Sequence, residues 1–266
     1  MKNLSYFIST LDKSPWRHIY RGAFSYPTYN SNTNTVSAGA IQFIFEPYKG
    51  NAVVSHNGKW LKPEKFAAIY NWYHNADPKD ASITKYFKEY SSCIDVAHNI
   101  FRSNYGVYVY GQGMLDDCAK ELTRNANSRR ACIVINDRNI MLNDGEIDKL
   151  CTNAIHFFIR NGYLRCVVQM RSSNMVTLLP YDIFMFSIFM AELWQKLHST
   201  CYGKLVPGSM TVQIADAHIT LDDLPGYCMS GKAVIRTDER LNRISTDVIS
   251  MFNDDSYKST IPSFIN

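Results

Sequence analysis

CTNAIHFFIRNGYLRCVVQMRSSNMVTLLPYD, residues 151–182, decides how this chain reads. Ala154 to Arg160 and Leu164 to Met170 are rich in β-branched and aromatic residues and read as two strands. Asn161-Gly162 between them is a hairpin turn signal. The same stretch carries chemistry: the thiol of Cys151, the cation of Arg171 beside Ser172, and the carboxylate of Asp182 at the head of an apolar run. Two further cations, Arg129 and Arg130, follow Ser128 just upstream.

Outward from this stretch, Val36 to Phe45 reads as a strand, and Tyr26 to Thr35, dense in Asn, Ser and Thr, reads as an exposed loop. Lys62 to His74 has Phe66, Ile69, Tyr70 and Tyr73 at helical spacing, with Pro63 suited to a first turn. Tyr105 to Tyr110 alternates with valine and reads as a strand or a loop edge. Met114 to Thr123 reads as a helix with Leu115, Cys118, Ala119 and Leu122 on one face. Ala131 to Ile135 reads as a strand, Ile183 to His198 as a long apolar helix, and Met210 to Ile214 and Ala217 to Leu221 as two short strands. Strands and helices without regular βαβ alternation point to α+β, with residues 1–266 as a single domain.

Hydrophobic residues make up 46% and charged residues 20% of the 266, the composition of a globular chain with a sizeable core. The net charge of +4 suits an anionic small molecule, and no basic run is dense enough for a nucleic-acid groove. Seven cysteines without a CxxC pair or zinc-type spacing to His argue for free thiols, no metal, and a reducing cytoplasmic setting. The N-terminus lacks a charged-then-apolar signal pattern. The apolar run Ile183 to Leu193 is too short to span a membrane.

A thiolate is a strong nucleophile, and neighbouring arginines lower a thiol's pKa. Arginine also clamps phosphate in a bidentate way. Each residue has a plainer reading: Cys151 as a buried apolar cysteine, the arginines as surface charges, Asp182 as a helix N-cap, and His218 as a structural histidine.

The order Ser128-Arg129-Arg130, Cys151, Gly162-Tyr163-Leu164-Arg165-Cys166, Arg171-Ser172, Pro180-Tyr181-Asp182-Ile183, Asp216-Ala217-His218-Ile219 resembles the thymidylate synthase family over roughly Tyr105 to Leu221. Ser103-Asn104-Tyr105-Gly106, Cys151-Thr152-Asn153 and Met170-Arg171-Ser172 are most similar to its cytosine-specific hydroxymethylases, including those of phages. The resemblance implies a mixed sheet packed by helices and a homodimer formed through the sheet. It implies that Cys151 adds to C6 of a pyrimidine nucleoside monophosphate and that C5 takes a one-carbon unit from 5,10-methylenetetrahydrofolate, with water completing a hydroxymethyl group. Tyr105 would order water and protons. Asp182 would read cytosine where uracil-specific relatives carry Asn. Arg171 and Ser172, joined by Arg129 and Arg130 of a partner subunit, would hold phosphate, and Asp216 and His218 would sit at the sugar. Asn174 and Phe87 would fall at the folate. Alternatives are a methylase making 5-methyl-dCMP or dTMP, or a nucleotide-binding protein without folate chemistry. Departures are concentrated on the folate and sugar sides. Ile69 stands where the family places a Glu three residues before Trp72, and Glu64 is too far along to replace it. Asn174 replaces Asp, Phe87 replaces Trp, and Thr220 replaces the Tyr that would pair with His218. Ser31 to Asn34 lacks the usual cation, with Arg21 the nearest substitute, and Ser263 to Asn266 is an unusual tail.

Overall fold

The computed structural model describes residues 28–30, 34–49, 62–94, 99–145, 147–175, 177–200, 204–220 and 239–252. Arg21, residues 31–33, Cys201, Leu221, Cys228 and the tail from Ser263 to Asn266 lie outside them.

The Asn161-Gly162 turn has positive φ at both residues, 56° and 78°, as a tight two-residue hairpin requires. It joins β4 (Thr152–Arg160) to β5 (Tyr163–Asn174), whose register runs from Arg160 opposite Tyr163 to Thr152 opposite Met170. Around this hairpin stand β1 (Thr28–Asn30), β2 (Thr35–Phe45), β3 (Cys132–Val134) and β6 (Val206–Thr220). The six-stranded sheet has the order β1-β2-β6-β5-β4-β3, and only the β5–β6 pair is parallel. Parallel neighbours need a long crossover. Here it is a helix that packs back on both strands.

That helix, numbered after α1 (Pro63–Asn75) and α2 (Met114–Arg124), is α3 (Leu179–Thr200). It also packs against α1, α2 and the later α4 (Glu239–Met251). A helix covered on all sides must be apolar all round. Phe184 to Ala191 is accordingly buried without interruption, and the one polar member, Ser187, donates its hydroxyl to the Ile183 carbonyl at 2.7 Å. On α1, Phe66, Ile69, Trp72 and Tyr73 face inward, and Phe66 packs on Tyr181 and Phe184 with ring centroids 4.6 and 5.0 Å away. The α+β reading, the hairpin, α1, α2 and α3 therefore stand as the sequence indicates.

Three expectations are corrected. Tyr105 to Tyr110 is not extended: Val107–Gly111 forms a π-helical turn closed by the Gln112 N–H on the Val107 carbonyl at 2.8 Å. Its buried Val109 follows buried Tyr105 by four residues, the spacing of a helical turn, and the alternating valines imitate a strand only in sequence. The supposed loop from Tyr26 to Thr35 contains β1, because Thr28 to Asn30 pairs with Thr35 to Ser37. Finally, the two short strands after residue 206 are one strand. The buried alternation Met210, Val212, Ile214 changes phase to Ala217 and Ile219, where the register with β2 slips between Gly39 and Ile41. The apparent break is a β-bulge at Ala215 and Asp216.

Candidate active site

Cys151 immediately precedes β4, and its carbonyl accepts from the Arg171 backbone N–H at 2.8 Å. The Arg171 guanidinium folds over the loop that leads to it. Nε donates to the Leu150 carbonyl at 2.8 Å and Nη2 to the Lys149 carbonyl at 2.9 Å, with the Cys151 Sγ 3.9 Å from Nη2. The other terminal nitrogen carries the donors left for an anion. Thiol and guanidinium open on a cavity of about 320 Å³, also lined by Tyr105, Asp148, Ser173 and Asp182. This is the lower range of small-ligand pockets.

Burial sets the electrostatics here. It pushes the Cys151 thiol up to about 11; Arg171 pulls the other way, while Asp182 and Asp148 add to the rise. The expectation that arginine lowers this thiol is therefore corrected: the cation acts in that direction, but desolvation outweighs it. At neutral pH the resting group is a thiol, so any attack by this sulfur would have to be coupled to proton loss.

Asp182 is the fourth residue of α3, inside the first turn, so it is not the N-cap. Burial alone pushes its carboxyl up to about 7 from an ordinary 3.8. The native state therefore holds the proton to higher pH than the unfolded chain does. Stability falls as pH rises from about 4 to about 7 and stays lowered above that. Asp182→Asn removes this dependence. Melting curves should show the substitution raising Tm more at about pH 8 than at about pH 5; an equal change at both would contradict it.

The Tyr105 hydroxyl accepts the Thr152 N–H at 3.2 Å, which leaves its own proton to donate, and burial raises its pKa well above the ordinary value. Ser173 Oγ, Thr152 Oγ1 and Tyr73 Oη are buried with no hydrogen-bond partner among the described residues. Such groups are uncommon and mark a place for water or ligand; Ser173 is on the cavity wall.

Two groups escaped sequence reasoning. Asp148 is 3% exposed and accepts the Ser103 N–H at 2.7 Å and the Ser103 hydroxyl. Its only sequence signal is a charge set between Ile147 and Leu150 just before the cysteine. Asn104 is fully buried: its amide donates to the Trp72 and Asp77 carbonyls, both at 3.1 Å, and accepts the Gly106 N–H at 3.0 Å. Ser103 to Gly106 thus ties α1 to the cavity wall.

The remaining candidates stand apart from the cavity lining. Ser172 Oγ lies 3.2 Å from His218 Nδ1, and Asp216 accepts the Ser37 hydroxyl, forming a polar group across β2, β6 and β5. Burial lowers the His218 pKa. Arg129 and Arg130 are exposed between α2 and β3, with Arg130 Nε 3.8 Å from Glu121. Asn174 Oδ1 accepts the Thr177 N–H at 3.1 Å in the turn before α3. Phe87 is buried, its ring 5.0 Å from that of Tyr181 and 4.4 Å below the Lys65 ammonium. Ile69 is buried on α1, while Glu64 is exposed in the first turn of that helix. Thr220 ends β6. Among the described residues no cluster of three His, Cys, Asp or Glu could hold a metal, and no helix is long and apolar enough to cross a membrane. Five described cysteines are free thiols.

No family model matches the chain. It is 32% identical over 80 residues to the deoxycytidylate 5-hydroxymethyltransferases of Enterobacteria phages T4, T2 and T6. The match covers 28% of this chain and 32% of each relative, so the chain spans about a third of the length of the curated relatives it matches. This partial likeness does not single out one of these transferases.

Proposed function

We propose that the chain is a one-carbon transferase acting at C5 of a cytosine nucleotide, dCMP or CMP, and that it makes the 5-hydroxymethyl derivative. The carrying observation is that Cys151, Arg171 and Asp182 share one cavity. Addition of Cys151 to C6 would move the C5=C6 electron pair onto C5 and make that carbon the nucleophile. Arg171 would hold the 5′-phosphate with the guanidinium nitrogen that the loop leaves over. Cytosine offers an acceptor at N3 and a donor at its amino group. A neutral carboxyl matches both, giving its proton to N3 and accepting from the amino group. An Asp182 raised to about 7 keeps that neutral form available near neutrality.

The one-carbon donor in this reading is 5,10-methylenetetrahydrofolate, which supplies a carbon at the oxidation level of formaldehyde. The two residues that the resemblance offers it do not fit, since Asn174 closes a turn and Phe87 is packed under Tyr181. The partner is a second copy of the chain, lending Arg129 and Arg130 to the phosphate; a monomer in sedimentation would remove those two roles.

The test is tritium release from 5-tritiated dCMP and CMP with methylenetetrahydrofolate, and a product heavier by CH2O. A gain of CH2 would indicate the methylase. In Asp182→Asn the preference for dCMP over dUMP should drop about 100-fold, because the amide matches uracil instead. Absence of release from both nucleotides, where a phage hydroxymethyltransferase works, would sink the proposal. The engaged state of Asn174 and Phe87 favours a second reading, a nucleotide-binding protein without folate chemistry. Calorimetry showing nucleotide binding but no folate binding would select it.

A further inference from the structure

A carboxylate with no role in the reading above shares the thiol's cavity. Asp148 precedes Cys151 by three residues and lines the same cavity, with Ser103 orienting both of its oxygens. The groups whose charge reaches the thiol are Arg171, Asp182, Asp148 and Cys93, and Glu89, Tyr90, Tyr105 and Lys149 complete this side of the wall. Addition of sulfur to carbon requires the S–H proton to leave, and reversal requires it back. Arg171, although 3.9 Å away, cannot accept a proton, and an ammonium at Lys149 is likewise only a donor. Asp182 is occupied with the base in the proposed reading. Of the two carboxylates that remain on this wall, Glu89 is exposed, while Asp148 is nine-tenths buried and oriented by Ser103.

We propose that Asp148 is the proton acceptor and donor for Cys151, directly or through one cavity water. It rests on the nucleotide reading above. On addition, the S–C6 bond forms, the C5=C6 pair moves to C5, and the S–H proton passes to the Asp148 carboxylate. C5 then takes a proton from solvent. In reverse, C5 loses a proton to solvent water, the double bond re-forms, the S–C6 bond breaks, and Asp148 returns its proton to sulfur. The net result is exchange of the C5 hydrogen with water, with no one-carbon donor consumed.

Folate-free loss of tritium from 5-tritiated dCMP or CMP by the full chain measures this cycle. Asp148→Asn keeps the size of the side chain and an acceptor for Ser103. It should slow exchange about 100-fold, with nucleotide affinity by calorimetry changed by less than about twofold. Alkylation of Cys151 by iodoacetamide between about pH 7 and pH 11 gives a second readout that needs no nucleotide. Removing the negative charge should move its midpoint to lower pH. Exchange within about threefold of the unsubstituted chain, or an unmoved midpoint, overturns the proposal. An unsubstituted chain without exchange counts against the nucleotide reading, while the alkylation midpoint still decides the pairing of Asp148 with Cys151. Should Asp148→Asn fail to fold, Ser103→Ala removes the hydroxyl's hydrogen bond to the carboxylate and keeps that of the backbone N–H. It should slow exchange about tenfold, and no slowing would overturn the role.

Discussion

Cys151→Ala lowers release of the C5 hydrogen by at least about 10⁴-fold while nucleotide binding persists. The size of the effect follows from the chemistry: without a covalent bond at C6 nothing places an electron pair on C5. Binding persists because the guanidinium is anchored on the Lys149 and Leu150 carbonyls, with the thiol only a distant neighbour at 3.9 Å. The measurement is paired tritium release and calorimetry on the same preparation. Residual release within about tenfold of the unsubstituted chain would remove Cys151 from the mechanism.

Gly106→Ala is expected to be the most damaging substitution for the fold. A Cβ at Gly106 would lie 1.7 Å from the Tyr73 carbonyl oxygen, 2.4 Å from its carbon and 2.6 Å from the Tyr73 Cα. All three are backbone atoms of α1, so no rotamer relieves the clash. The helix must move, and it is fixed by Phe66, Ile69, Trp72 and Tyr73, each at most 2% exposed. Overpacking of this kind costs about 3 kcal/mol or more, a large part of ordinary domain stability. A fall in Tm of roughly 10 °C follows for a chain of this size. Tyr105 is the next residue and would lose its place over the Thr152 N–H, so activity should fall with stability. Gly111→Ala is the control: its Cβ would meet Ala76 Cβ at an ordinary 3.5 Å. Equal melting points for the two variants would refute the close approach.

Local signals carried much of this architecture. The hairpin follows from Asn161-Gly162, and α3 from an apolar run bounded by Pro180 and His198. Cys151, Arg171 and Asp182 meet because the hairpin folds Arg171 back onto the cysteine loop and α3 begins directly after β5. Contacts made between distant segments were not legible. Asp148 and Ser103 are 45 residues apart, with no periodic pattern joining them. Thiol desolvation depends on walls drawn from several elements, so the sign of the Cys151 shift could not be read from neighbouring arginines. Tyr105 to Tyr110 misled because four alternating residues satisfy a strand and a wide helical turn equally well, and only the packing of Gly106 on Tyr73 separates them.

Arg171 has one further consequence. Its guanidinium holds the loop that carries Cys151, and under the proposed function it is also the cation offered to the phosphate. Under that reading, tightness of capture and aim of the sulfur are coupled through one side chain. A lysine, with a single point of charge in place of a planar fork, could keep the first and lose the second. Variation that changes which anion is preferred must begin elsewhere on the wall, because any change at Arg171 alters reactivity as well.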